Sequence, residues 1–135
     1  MKVTRFSRKR DLIVVRAWLW SPRQDRRVWL AVDTASSDTV VTPDIIDDLG
    51  YSPRDGENVT TVRAAIGKEQ GWTLRVNRFS ALGFAVPNYR IHVFDLATGD
   101  DIAGLIGLSF LNAFNYEVRS REGRLRVERA DVASY

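Results

Sequence analysis

The sequence predicts an all-β domain, a closed barrel or sandwich with one or two short helices. About nine short segments rich in β-branched and aromatic residues alternate with Gly, Pro, Asn and Asp turn signals. Long helical segments do not alternate with these strands, so a parallel α/β sheet is not indicated. The chain has 135 residues and 44% hydrophobic content, enough for one core. We therefore expect a single domain over residues 1–135, with its core at about 11–128.

The first half of the chain predicts a hairpin followed by a short helix. Its expected strands are Leu12–Trp20, Arg27–Val32 and Thr39–Thr42. Ser21, Pro22 and Asp25 are turn-forming residues between the first two strands. Thr42 is suited to an N-cap, Pro43 to the first helical position and Gly50 to the helix end, so we expect a helix over Pro43–Leu49.

The second half predicts further antiparallel strands. The expected strands are Asn58–Ile66, Trp72–Phe79, Phe84–Val86 and Tyr89–Asp95, followed by a terminal hairpin within Asn115–Glu128. Gly67 and Gly71 mark the turn of the first pair, and Pro87 and Asn88 separate the second pair. A loop over Ala97–Asp101 leads to a buried strand that ends in a glycine turn at Gly107.

Composition excludes several kinds of site. The chain has no cysteine, so it can form neither a disulfide nor a thiolate metal site, which suits a reducing cytoplasm. A Ser/His/Asp triad would have to use His92, the single histidine, for which we favour an outward-facing position on a strand. Arg16 interrupts the apolar run near the N-terminus, and that run is too short to span a bilayer, so we expect a cytoplasmic protein that does not bind membranes.

The charge pattern favours ordinary solvated faces over a nucleic-acid interface. The net charge is +3, and basic clusters occur at 8–10, 23–27 and 119–129. Acidic residues are interleaved with the arginines, and no nucleic-acid recognition motif is present. We expect the four tryptophans, Trp18, Trp20, Trp29 and Trp72, to fill the core or a dimer interface, or in the case of Trp72 a pocket under a hairpin.

Asp33 is the strongest candidate for a catalytic residue. It follows an apolar strand directly in the segment WLAVDTASSDTVV, residues 29–41. A carboxylate at the end of a buried strand needs hydrogen bonds, which the amides and hydroxyls of residues 34–37 could donate. If a second such carboxylate lay opposite, the two would share one proton and could activate a water molecule. The alternative is that Asp33 only caps the turn between two strands.

The chain resembles the retropepsin-like aspartic proteases in several segments. The DTAS sequence at 33–36 resembles their DTG signature, and residues 42–51 resemble the helix and LGY-type exit that follow it in bacterial members. Residues 102–114 resemble the second signature, with Leu105, Ile106 and Gly107 leading into a short helix. The terminal hairpin is also similar. The resemblance covers residues 11–128 in the family's order.

This resemblance implies a single-lobed closed barrel that acts as a homodimer. Asp33 from each subunit would activate water for peptide hydrolysis, without a metal or organic cofactor, and a hairpin near Ile66 and Gly67 would form the flap over a peptide or protein substrate. Thr34 would brace the two turns across the dimer axis. Ala35 and Ser36 would donate hydrogen bonds to the carboxylate or to the substrate. Ser37 and Asp38 lie where relatives contact the substrate backbone.

Ala35 departs from the family pattern, which has glycine at this position. If φ is negative there, alanine keeps its amide as a donor at little cost, whereas a positive φ would strain the turn. This departure leaves open an inactive retropepsin-like module that binds peptides or dimerises. A second alternative is a small β-barrel that binds an anionic partner through its arginines.

Overall fold

The computed structural model describes residues 1–57, 59–64, 67–96 and 101–130, with the backbone alone for 59–64 and 67–70. These ranges contain ten strands, two short α-helices and 3-10 turns at Pro53–Asp55 and Ser120–Glu122. The strands are β1 Lys2–Arg5, β2 Val14–Trp20, β3 Asp25–Val32, β4 Val40–Val41, β5 Val59–Ala64, β6 Gly67–Ala81, β7 Phe84–Val93, β8 Ile102–Ile106, β9 Phe114–Arg119 and β10 Arg124–Arg129. The helices are α1 Pro43–Asp48 and α2 Leu108–Leu111.

Six strands close into a barrel, which confirms the predicted all-β fold with two short helices. Neighbouring strands follow the order β2-β3-β8-β4-β7-β6, and pairing of β2 with β6 closes the ring. The β5 strand extends the sheet outward from β6. The β3–β8 and β4–β7 pairs are parallel. The ends of β3 and β8 therefore lie together, which brings the two predicted signatures to one edge of the barrel.

A second sheet, in the order β1-β10-β9, packs Leu125 and Val127 into the main core. The terminal hairpin is confirmed, with Leu125 opposite Val118. The β1 strand was not predicted, because its four residues, KVTR, include two cations and too few apolar residues for a periodic signal. It forms by pairing with β10, a contact between opposite ends of the chain.

The tryptophan prediction is wrong for the core. Along β2, Val15, Ala17 and Leu19 are buried and alternate with residues that face outward, as the two-residue period of a strand requires. Trp18 and Trp20 are on that outward face, and Trp29 on β3 is 37% exposed. Apolar character alone cannot tell which face of a strand an aromatic residue occupies. Trp72, by contrast, is partly buried against the core.

The boundaries of β6 and β7 also differ from the predictions. The β7 strand is continuous through Pro87 and Asn88, because its register with β6 is the same at the Val76–Tyr89 and Arg78–Pro87 pairs on either side of Asn88, which has a φ of 50°. Gly71 lies within β6 and pairs with Thr60. The predicted loop over 97–101 lies outside the described residues except for Asp101.

Smaller differences concern a turn and a helix end. The β3 strand already begins at Asp25, and α1 ends at Asp48 with Leu49 as its C-cap. Thr42 is the N-cap of α1, but its side chain makes no capping hydrogen bond. In the described ranges no helix has the length and apolar character needed to cross a membrane.

Candidate active site

Asp33 lies directly after β3, and its backbone is fixed to the second signature. The Asp33 N–H donates to the carbonyl oxygen of Ile106, the last residue of β8, at 2.9 Å. The side chain is partly exposed. The parallel pairing of β3 with β8 thus sets the position of the carboxylate at the barrel edge.

The residues after Asp33 form a tight turn that holds its carboxylate. The Ser36 N–H donates to the Asp33 carbonyl oxygen at 3.3 Å, and the Ala35 N–H donates to Asp33 Oδ1 at 2.9 Å. This is the Asx-turn pattern, in which a side-chain oxygen accepts from the amide two residues on. The turn holds Asp33 Oδ1 through a backbone donor and leaves Thr34 and Ala35 exposed.

In the described chain, the non-glycine residues with a positive φ are Leu82 and Asn88. The φ of Ala35 is therefore negative. The alanine therefore keeps the amide donor to Asp33 without strain of the left-handed kind. Of the two possibilities raised by the departure from glycine, the structure has the unstrained one.

Replacing Ala35 with glycine should lower the free energy of unfolding by about 0.4–1 kcal/mol, because glycine gives the unfolded chain more conformational freedom at a site that needs none. Urea denaturation of both proteins at one pH would measure the difference. An increase in stability for Ala35→Gly would instead show that the alanine strains the turn.

The first amides of α2 support the same turn from the second signature. Leu108 N–H donates to the Ser36 carbonyl oxygen at 2.9 Å, and Ser109 N–H donates to that of Ser37 at 2.8 Å. Amides in the first turn of a helix lack partners within the helix. These contacts therefore give hydrogen-bond partners to the α2 amides and to the carbonyl oxygens of the Asp33 turn. Gly107 is buried against this turn, and a Cβ built on it would lie 2.3 Å from the Asp38 carbonyl oxygen. The two signatures are thus one packed unit.

Sequence reasoning missed a group of three hydroxyls behind the turn. Tyr89 OH lies 3.0 Å from Thr39 Oγ1 and 3.0 Å from Ser109 Oγ. Thr39 N–H donates to Ser109 Oγ at 3.2 Å, and Gly107 N–H donates to Thr39 Oγ1 at 3.3 Å. Thr39 is fully buried, so its polar atoms need these partners. The sequence offered as a signal only a threonine directly before two valines.

Tyr89→Phe should destabilise the protein by about 1 kcal/mol. It removes the hydroxyl that hydrogen-bonds with Thr39 and Ser109 and keeps the ring that stacks on Phe79. Burial raises the pKa of Tyr89 above its ordinary value of 10.0. The unfolded chain therefore loses the phenol proton first. The stability that this group contributes is complete below pH 10 and is lost as the pH rises through the folded-state pKa.

The check on Tyr89→Phe is urea denaturation at neutral pH and at a pH above 10, with Tyr116→Phe as the matched control at an exposed tyrosine. The Tyr89 variant should lose less stability than the parent between the two conditions. An alkaline decline of equal size in both would contradict the assignment.

His92 differs from the prediction in its burial: it lies on the face of β7 opposite Ile91 and Val93, which pack into the main core, yet it is covered. Its residue is 9% exposed, and Nε2 lies 3.4 Å from Asp38 Oδ1. It is brought there by β7, whose parallel pairing places His92 beside Val40 of β4, two residues after Asp38. A buried polar residue is tolerated when a partner of this kind is present.

The remaining predicted site residues fall into three groups. Ser36 is 3% exposed and its hydroxyl donates to the Asp38 carbonyl oxygen at 3.1 Å, whereas Ser37 is exposed and its hydroxyl donates to Asp38 Oδ2 at 3.2 Å. Gly67 begins β6 and pairs with Ala64. Ile66 lies outside the described residues. Leu105 and Ile106 end β8 and are buried behind the turn.

The described chain contains a concave region that does not include Asp33. A cavity of about 760 Å³ is bordered by the beginning of β3, by α1 and by Asp95, Asp101 and Ile102. Within the same described ranges, no group of three or more His, Asp or Glu residues could hold a metal ion.

Comparison with known proteins identifies the family. The family model described as aspartyl protease matches residues 23–110, more than half of the chain. The fold is similar to the crystal structure of a retropepsin-like aspartic protease from Rickettsia conorii, with a TM-score of 0.65 and 20% identity over 93% of this chain and 96% of that one.

A viral enzyme has the same fold. The EIAV protease in complex with the inhibitor HBY-793 matches with a TM-score of 0.55 and 15% identity over 77% of this chain and 88% of that one. None of the curated proteins compared with the chain matches it in sequence. The family match and the closed six-stranded barrel together show that the chain belongs to the aspartyl protease family and has the retropepsin-like, single-lobed fold.

Proposed function

We propose that the protein is an aspartic endopeptidase that acts as a homodimer, with Asp33 of each subunit facing the other across a two-fold axis. The observation that carries the proposal is the Asp33 turn itself. The carboxylate is partly exposed at the barrel edge, and one of its oxygens is held by the Ala35 amide at 2.9 Å. A carboxylate fixed by a backbone donor but open on one side is suited to bind water.

The reaction would use one proton shared by two carboxylates. The ionised carboxylate takes a proton from the water while the water oxygen attacks the peptide carbonyl carbon. The protonated carboxyl gives its proton to the carbonyl oxygen. The resulting diol collapses when the carboxyl that took the water's proton gives it to the amide nitrogen, the other carboxylate takes a proton from a diol hydroxyl, and the C–N bond breaks. No metal or organic cofactor takes part in these steps.

A dimer is needed because one chain supplies one such turn. The DTAS segment occurs once in the sequence, and the fold is a single lobe. The exposed Thr34 and Ala35 would lie at the two-fold axis, where Thr34 would brace the two turns. Ser37 and Asp38, at the exposed end of the turn, would contact the substrate backbone.

The substrate would be an extended peptide lying between the Asp33 turns and the β5–β6 hairpins. These strands pair from Val59–Trp72 to Ala64–Gly67, and their connection, including Ile66, would form the flap. Extended peptides bind such sites by backbone hydrogen bonds, with alternate side chains in pockets. Ala35 raised the alternative of an inactive module; its negative φ supports catalysis because the amide donor to Asp33 is kept without left-handed strain.

The test is the dependence of specific activity on protein concentration. We expect sedimentation equilibrium at micromolar concentration to show a dimer, and cleavage of a fluorogenic peptide library to fall in specific activity on dilution below the dissociation constant. A peptidase whose specific activity is independent of concentration while it sediments as a monomer would contradict the proposal.

A further inference from the structure

Three tryptophans and three arginines form a patch on the outer face of β2, β3 and β6, which we call the tryptophan–arginine face. Its members are Arg16, Trp18, Trp20, Arg27, Trp29 and Arg78. The strand register sets them in three successive rows. Arg16 lies opposite Trp29, Trp18 opposite Arg27, and Trp20 opposite Arg78.

Each arginine of this face lies over an indole ring. The guanidinium carbon is 4.3 Å from the ring centroid in the Arg16–Trp29 and Arg27–Trp18 pairs, and 5.0 Å in the Arg78–Trp20 pair. The rings of Trp18 and Trp20 also stack on each other at 4.5 Å. An indole that covers the flat side of a guanidinium holds it in place and leaves its N–H edge to face solvent.

These three arginines have no acidic partner in the described chain. Arg26, Arg75 and Arg119, for comparison, each form an ion pair with a carboxylate. None of the arginines in the tryptophan–arginine face does so among the described residues.

One acidic residue, Asp25, lies on the same face opposite Trp20, and it accepts a hydrogen bond from the Trp18 indole N–H at 2.7 Å. The donors of the three guanidiniums are therefore available to a ligand from outside.

A cavity between two of the arginines has the right chemistry for a carboxylate. It has a volume of about 260 Å³ and is bordered by Arg16, Trp18 and Arg27 and by the turn between β6 and β7. No acidic residue borders it. A guanidinium fork binds a carboxylate through two parallel hydrogen bonds, which are stronger than neutral ones.

We propose that the tryptophan–arginine face binds an extended acidic segment of another protein, with one acidic side chain in the cavity between Arg16 and Arg27. Successive rows are two residues apart along β2, about 7 Å, which is also the spacing of alternate side chains in an extended peptide. Arg27 and Arg78 lie at opposite ends of the Trp18–Trp20 stack, up to about 14 Å apart, so acidic side chains four positions apart in an extended peptide would reach both.

The geometry favours an acidic peptide over a single-stranded nucleic acid. Proteins that bind single-stranded nucleic acid stack its bases on free aromatic faces. Arg27 and Trp20 both lie within stacking distance of the Trp18 ring, and two groups so close to a ring cannot share one face. Both faces of Trp18 are therefore covered. The binding site is also separate from the proposed catalytic site, since Arg27 precedes Asp33 by six residues of extended chain, about 20 Å.

The experiment measures binding by fluorescence anisotropy, so its outcome does not depend on peptidase activity. The probe is a labelled peptide in which glutamate and serine alternate, and the control peptide has glutamine for every glutamate. The variant is Arg16→Gln/Arg27→Gln/Arg78→Gln. The matched control is Arg54→Gln/Arg90→Gln/Arg121→Gln, which removes the same charge from exposed arginines elsewhere.

We expect the first variant to weaken binding of the acidic peptide about tenfold and the control to weaken it less than about threefold. Because the glutamine variant also loses the indole stacks, an Arg→Lys triple at the same positions keeps the charge but loses the planar fork. It should weaken binding about threefold.

Equal losses in the variant and its control would overturn the proposal, as would equal binding of the glutamine peptide. Single-stranded DNA that bound more tightly than the acidic peptide, and lost that affinity in the same variant, would assign the face to nucleic acid instead.

Discussion

Asp33→Asn should abolish peptide cleavage, with a loss of at least about 10³-fold in kcat/KM, and leave the fold intact. The asparagine side-chain oxygen can still accept the Ala35 N–H, so the Asx turn is kept. An amide cannot take a proton from the attacking water, and it cannot share a proton with the opposite Asp33. The loss should therefore appear in the chemical step.

Initial rates with a fluorogenic peptide library would measure this effect, and circular dichroism with sedimentation equilibrium would verify fold and assembly. Asp44→Asn is the matched control, because Asp44 is an exposed carboxylate in the first turn of α1 and is not part of the Asp33 turn. Substantial turnover by Asp33→Asn that co-purifies with the dimer would exclude Asp33 as a catalytic residue.

Elements with a local cause could be predicted from the sequence. The barrel strands, the helix after Pro43 and the terminal hairpin follow from apolar runs and turn residues within each segment. The Asp33 turn has a local cause in part: the hydrogen bonds within it join residues at most three apart, whereas the α2 amides that support it lie 72 positions away in the sequence. Ala35 could be identified as the critical departure, but the sign of its φ needed coordinates.

Features made by distant residues could not be predicted. The hydroxyl of Tyr89 reaches Thr39 across 50 positions of sequence, and Ser109 reaches Thr39 across 70. Tryptophan was expected inside because of its size, yet in the rows of β2 and β3 the arginines cover the rings that point outward. Such an arrangement depends on register, and register is a property of strand pairs.

Gly107→Ala should be a damaging single-methyl change behind the Asp33 turn, with a loss of about 3 kcal/mol in the free energy of unfolding. Gly107 has a φ of −103°, which any residue can adopt, so the effect is purely steric. The added Cβ would lie 2.3 Å from the Asp38 carbonyl oxygen and 2.8 Å from that of Ser36. Both are backbone atoms, so the Asp33 turn itself would have to move.

Gly50→Ala is the control that separates crowding from backbone strain. Gly50 has a φ of +88° and no atom within 4 Å of a built Cβ, so alanine there should cost only about 1–2 kcal/mol through backbone conformation. Urea denaturation would rank the two variants, and peptide cleavage under folding conditions should fall much further for Gly107→Ala. If Gly107→Ala kept parental stability and cleavage, the second signature would not be what holds the Asp33 turn in place.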